Sequence, residues 1–259
     1  AMSYVIDVYR GQVGVQRSFA KFLLYVSLFP QLIAGPIVRY SDVEKEIEAR
    51  KSTPKGCFYG MTRFCIGLAK KVLIADYAGA VADQLLGGSF TASTTLGLWF
   101  GVLMYMFQIY FDFSGYSDIA VGVAALLGVR LSRNFDHPYQ AVSLRDFWHR
   151  WHISLTRWFT DYLYIPLGGS RCGAVRCALN TLTVFLLSGL WHGASLHFVV
   201  WGGVHGLLLL AEKRLFPADS QGRAAPARRL LTLAAVCFAW VFFRATSVSD
   251  ALTLFSRLP

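Results

Sequence analysis

The sequence predicts an all-α fold, a polytopic integral membrane helical bundle with broken or re-entrant and interfacial helices. Three observations carry the prediction. Of 259 residues, 55% are hydrophobic and only 15% are charged, where a water-soluble domain carries about 25%. The apolar residues come in long runs, among them 35 consecutive positions, 177–211, without Asp, Glu, Lys or Arg. The net charge of +10 sits in short segments between those runs, where cytoplasmic loops of membrane proteins collect positive charge. Disorder is excluded, because disordered chains are poor in apolar residues and rich in charge. Basic charge alone is a weak sign of nucleic acid, and with this placement the expected surroundings are membrane lipid, with no nucleic acid. Five cysteines, Cys57, Cys65, Cys172, Cys177 and Cys237, form no C-x-x-C and read as small packing residues, with neither a metal site nor a disulfide framework.

Taken in order, residues 19–38 are apolar except for Lys21 and Gln31, but Pro30 and Pro36 interrupt them. Proline removes a backbone donor, so a broken or re-entrant span packed inside protein is expected. Residues 39–55 read as a charged loop, with Arg39, Lys45, Arg50, Lys51 and Lys55 against Asp42, Glu44, Glu46 and Glu48. Residues 56–86 are helical in pattern and carry Arg63, Lys70, Lys71, Asp76 and Asp83, which suits an interfacial or bundle-facing helix. Residues 94–111 are a charge-free run of 18, near the ~20 that cross the hydrocarbon core. Asp112 and Asp118 follow, then an apolar stretch at 119–129. The run 177–211 is too long for one span at ~1.5 Å per residue, and Gly189, Gly193, Gly202 and Gly203 offer turns. A second basic loop at 212–229 precedes a final apolar run, 230–243. The positive-inside bias places both loops in the cytoplasm. No signal peptide opens the chain, and both ends read as cut from a longer protein.

Two segments carry chemistry. In SLRDFWHRWHISLTRWFTDYLYI, 143–165, a continuous helix turning about 100° per residue puts Trp148, Trp151, Leu155, Trp158 and Tyr162 on one stripe. Arg150, Arg157, Asp146 and Asp161 gather on another sector. An interfacial amphipathic helix accounts for the Trp and Arg. It does not account for His149 and His152 on the sector between them. Those two at i, i+3 could share a metal, but zinc needs further ligands and Cys172 and Cys177 are not at a familiar spacing. In LLSGLWHGASLHFVVWGGVHG, 186–206, His192 stands amid uncharged residues. An ionisable side chain within a span is a functional candidate by default, the plainer reading being a neutral imidazole bonded to a carbonyl. For His197 and His205 packing or pocket lining is the expectation, and for His137 a turn or cap. Asp112 and Asp118 could orient an acceptor, or simply pair with Arg or Lys from a neighbouring helix.

Six ordered stretches together resemble the membrane-bound O-acyltransferase (MBOAT) family in its bacterial alginate O-acetylation branch. They are FPQLIAGPIVRY at 29–40, FDFSGYSDIAVGVAALLGV at 111–129, NFDHPY at 134–139, DFWHRWHISLTRWFTDYLYIPLGG at 146–169, SGLWHGAS at 188–195 and WGGVHG at 201–206. The D-alanyl-transferring branch shares the FDF-GYS and RWH-SL elements. The resemblance implies an incomplete MBOAT fold, with 1–259 a single catalytic-core region lacking N- and C-terminal spans. It implies a two-histidine site, His192 being catalytic with His152 beside it. His149, Trp151, Trp191, Asp112, Asp118 and Asn180 are implied as lining or binding residues of a tunnel. Position 149 is commonly Arg in this family and is His here. The implied reaction passes acetyl from cytoplasmic acetyl-CoA toward an extracytoplasmic acceptor for exopolysaccharide O-acetylation. Neither a bound cofactor nor a metal is expected. Periplasmic acetyltransferase proteins would be partners, and the location would be a bacterial inner membrane, crossed several times. Three alternatives stay open: D-alanyl transfer to teichoic acid, a proton-coupled transporter or channel using the same His and Asp residues, and a non-catalytic scaffold.

Overall fold

A computed structural model describes residues 1–32, 35–87, 94–216 and 225–258, and every regular element among them is helical. The helices are α1 (Met2–Tyr9), α2 (Phe19–Val26), α3 (Phe29–Leu32), α4 (Tyr40–Glu48), α5 (Pro54–Ala69), α6 (Asp76–Leu86) and α7 (Thr95–Leu126). After them come α8 (Leu144–Arg150), α9 (Ile153–Phe159), α10 (Ala174–His192), α11 (Leu196–Leu215), α12 (Ala225–Arg244) and α13 (Val248–Ser256). Wider π-helical turns cover Lys70–Ala75 and Thr160–Tyr164. Helices α7, α10 and the stretch Pro226–Arg244 of α12 are long and apolar enough to cross a membrane. The chain divides into two compact units, Ala1–Ile74 with Tyr110–Asn134, and Ala75–Ile109 with Phe135–Pro259.

In the first unit the core forms around three tyrosines. Tyr4 and Tyr25 each meet Tyr40 edge-on, at 5.1 and 5.3 Å between ring centroids, and Val43, Ala124 and Val129 complete the cluster. The expected interruption of 19–38 is present: α2 stops at Val26, Pro30 lies in the single turn of α3, and Pro36 lies outside any helix. Residues 33–34 of that stretch lie outside the described residues. The segment 39–55 is not wholly a loop. Helix α4 forms within it because the Asp42 carboxylate accepts the Arg39 N–H at 3.2 Å, capping the first turn, while Tyr40 and Val43 turn into the core.

Helix α5 starts at Pro54, where the ring removes a donor that would be orphaned anyway, with Thr53 Oγ1 accepting from Gly56 N at 3.1 Å. It then packs backbone to backbone on α7. Glycines seven apart on each helix face one another in antiparallel order, Gly60 with Gly122 and Gly67 with Gly115. A Cβ on Gly67 would stand 2.5 Å from the Gly115 carbonyl oxygen. The charge-free run 94–111 continues past Asp112 and Asp118 within one helix. Helix α7 runs through both, because each carboxylate has its cation. Asp118 takes Arg63 at 3.0 Å and Lys70 at 2.7 Å, and Asp112 takes Lys71 at 2.8 Å.

In the second unit the run 177–211 is a helical hairpin, α10 and α11, turning at residues 193–195. Its helices also touch through glycine: a Cβ on Gly202 would run into the Phe185 carbonyl oxygen. The core is aromatic. Trp201 stacks on Trp240 at 5.8 Å, Trp151 packs on Trp240 at 4.9 Å, and Phe147 stacks on Trp151 at 5.6 Å. The segment 143–165 corrects the expectation of one continuous amphipathic helix. It is α8, a break at Trp151–His152, α9, and then the π turn, in which Ile165 N donates to Thr160 O across five residues at 2.9 Å. The break has a local cause: His152 adopts the left-handed region, φ 45 and ψ 52, which costs a non-glycine residue about 1–2 kcal/mol. The described part of the loop 212–229 is mostly helical too, at the ends of α11 and α12, and residues 217–224 lie outside the described residues.

Candidate active site

His192 is the last residue of α10. Its Nδ1 lies 2.7 Å from the Ser188 carbonyl oxygen, one turn back. A carbonyl only accepts, so Nδ1 carries a proton, and in the neutral form of the ring Nε2 holds the free lone pair. The helix stops directly after it. Gly193 has extended backbone, and a Cβ there would meet the Phe198 ring at 2.5 Å. Three aromatic rings stand edge-on around the imidazole, Trp191 at 4.9 Å, Trp201 at 5.0 Å and Phe243 at 5.4 Å.

His152 comes to the same place from a different element. Its left-handed backbone turns the chain between α8 and α9, and the side chain is buried, with its ring 6.3 Å from that of Trp191. Trp191 thus contacts both imidazoles. Burial, with the neighbouring His192 second, pushes the His152 imidazole down to about 3, so at working pH it is neutral and keeps one N–H to donate. A backbone strained at a non-glycine residue persists only where its surroundings over-determine it, and such residues cluster at functional sites.

The other sequence candidates divide by place. Trp151 is packed inside the aromatic core, against Phe147, Trp240 and, edge-on at 5.0 Å, Phe135. His149 is exposed on the last turn of α8. Asn180 is buried and its Nδ2 donates to Leu167 O at 3.1 Å and Gly169 O at 3.4 Å, holding the turn that precedes α10. It lies twelve residues before His192, ~18 Å along the helix. Asp112 and Asp118 belong to the first unit and are paired there. His197 bonds the Phe242 carbonyl through Nδ1 at 3.1 Å, and His137 opens a turn with φ 48. His205 is fully buried, its ring enclosed by Phe147, Trp148, Phe185, Trp201 and Trp240. Among the described residues no three His, Cys, Asp or Glu side chains converge as metal ligands.

One contributor had no sequence signal. Glu212, on α11, accepts the backbone N–H of Leu144 at 2.8 Å and of Arg145 at 3.3 Å. A carboxylate across the first N–H groups of a helix satisfies orphan donors and complements the helix dipole. Glu212 therefore fixes the start of α8, which ends beside His152.

This arrangement of a bare imidazole nitrogen, a second neutral imidazole and a shared tryptophan can accept a proton from a hydroxyl and donate to a developing oxyanion. A model of the MBOAT, membrane-bound O-acyltransferase family matches residues 13–254. The chain is 42% identical over 258 residues to "Probable alginate O-acetylase AlgI" of Pseudomonas fluorescens, covering 100% of this chain and 52% of the relative. It is 40% identical over 243 residues to the peptidoglycan O-acetyltransferase of Helicobacter pylori, covering 90% and 45%. It is 26% identical over 256 residues to the teichoic acid D-alanyltransferase of Bacillus subtilis, covering 92% and 65%. The chain spans about half the length of the O-acetyl-transferring relatives. With a family match running through residues 13–254 and 42% identity along the whole chain to one relative, the chain belongs to the membrane-bound O-acyltransferase family.

Proposed function

We propose that this chain is the catalytic-core region of a membrane O-acetyltransferase that moves acetyl from cytoplasmic acetyl-CoA toward an extracytoplasmic acceptor, for exopolysaccharide O-acetylation of the alginate type. The observation that carries the reading is His192, whose proton sits on Nδ1 against Ser188 O and whose Nε2 is left as a base. In the reaction the acceptor hydroxyl attacks the thioester carbonyl while Nε2 takes its proton. The carbonyl oxygen becomes an oxyanion, which the His152 N–H stabilises. Collapse expels the CoA sulfur, and the imidazolium returns the proton to it, giving the acetyl ester and free thiol. Trp191, touching both rings, holds their mutual placement.

Higher identity to the two O-acetyl-transferring relatives than to the D-alanyltransferase favours acetyl as the group moved. A donor and an acceptor on opposite faces call for a bacterial inner membrane location and for periplasmic acetyltransferase partners that finish the transfer. The test uses the whole protein in a deletion strain, complemented with wild type or His192→Ala, and reads polysaccharide O-acetyl content by mass spectrometry. Loss of a general base costs about 10²–10⁴-fold, so acetylation is expected to vanish while the amount of protein in the membrane is unchanged. Normal acetylation in that strain removes the assignment.

A further inference from the structure

At the end of α10 opposite His192, two cysteines meet. Cys172 Sγ and Cys177 Sγ are 3.2 Å apart, both thiols are free, and both converge on the Gly169 carbonyl oxygen, at 3.2 and 3.6 Å. The local fold explains why. Gly173 is the residue before the helix, so Cys172 precedes the cap and Cys177 is the fourth residue of the first turn. Those are the two positions that pack together as a hydrophobic staple at a helix start. Here both ends of the staple are sulfur. Asn180 braces the same turn through Leu167 O and Gly169 O, with its Nδ2 also 3.6 Å from Cys172 Sγ, so the pair is presented by an ordered frame.

We propose that Cys172 and Cys177 are a dithiol site that a small disulfide oxidant, such as oxidised glutathione, converts to an internal disulfide. Cys172 is partly exposed and Cys177 is buried, which sets the order of events. The Cys172 thiol loses its proton and its sulfur attacks one sulfur of the oxidant, breaking that S–S bond. One glutathione leaves as thiolate and takes up a proton. The Cys177 sulfur, deprotonated in turn, attacks Cys172 in the mixed disulfide. It expels the second glutathione, which takes the second proton. Two thiols are oxidised and one disulfide is reduced. Closing from 3.2 Å to the ~2.05 Å of an S–S bond needs side-chain rotation of about an ångström within the existing turn. The outcome is a covalent staple at the start of a membrane-spanning helix. This inference does not depend on the acyl-transfer reading, because the pair lies at the other end of α10 from His192.

Arg171 and Arg176 make the test direct, since trypsin cleaves after each and separates the two cysteines into different peptides. The full-length protein in detergent is incubated with oxidised glutathione, free thiols are alkylated, and the digest is read by mass spectrometry before and after reduction. The expected product is the Cys172 peptide joined to the Cys177 peptide, two hydrogens lighter than the sum, and separated by reductant. In Cys177→Ser the reaction is expected to stop at glutathione on Cys172, and that trapped species reports on reactivity even if the helix start is loosened. Both cysteines alkylated after oxidation, or wild-type protein ending with glutathione on Cys172 and no joined peptide, overturns the proposal.

Discussion

His152 is a side chain whose backbone and imidazole make separate demands. The ring is neutral and buried beside Trp191, and the φ of 45 is one that glycine adopts freely and alanine does not. The two demands can be pulled apart by substitution. His152→Gly and His152→Ala both remove the imidazole, so both are expected to lose acyl transfer. The alanine variant keeps the left-handed strain, and the glycine variant is expected to be the more stable by about 1 kcal/mol, read as a higher midpoint in thermal or denaturant unfolding in detergent. Equal stabilities, or a more stable alanine variant, would contradict the strained conformation. The sequence singled this residue out as the histidine of RWHISL. Its conformation was not, because the aromatic spacing of 143–165 fits a helical wheel whether or not the backbone breaks in the middle.

At the scale of the helix, glycine contacts and one long-range carboxylate do work that composition hides. Gly67 and Gly115 let α5 and α7 touch along their backbones, and a methyl group on Gly67 would sit 2.5 Å from a carbonyl oxygen. Gly67→Ala is expected to destabilise by roughly 1–3 kcal/mol, the usual range for overpacking, even though alanine is the better helix former. Unfolding measured in detergent against wild type checks the sign. Glu212 is the complementary case, a surface-looking acid in a basic segment whose partners lie 67 and 68 residues away. No local pattern announces such a pairing. Glu212→Ala leaves two N–H groups at the start of α8 without their acceptor and is expected to cost about 1–2 kcal/mol. Glu212→Gln, which keeps one acceptor oxygen, is expected to recover part of that loss. If the two variants behave alike, the carboxylate does not hold α8. The broken 19–38 stretch and the hairpin within 177–211 were legible, since Pro30 and Pro36 remove donors and 35 uncharged residues exceed one crossing. The passage of α7 through Asp112 and Asp118 was not, because the cations that neutralise them come from α5 and the π turn after it, over forty residues earlier.

For the molecule as a whole, the helical membrane character followed from composition, long apolar runs and the charge between them, and the family from six ordered motifs, because these signals are spread along the entire chain. The charge bias of 39–55 and 212–229 bears on which face of the bilayer each loop meets. Helix α10 nevertheless links the protein to its solvent. Its 19 residues are ~28 Å long at 1.5 Å each, nearly the ~30 Å of a hydrocarbon core, and His192 is its final residue. A rod of that length leaves little slack for hydrophobic mismatch, so lipid thickness bears on how far the His192 imidazole sits from the headgroups. Reconstituted in dilauroyl, dioleoyl and dierucoyl phosphatidylcholine, the whole enzyme is expected to turn over fastest in the middle one. A rate indifferent to chain length would mean that the imidazole's position is set by protein contacts alone.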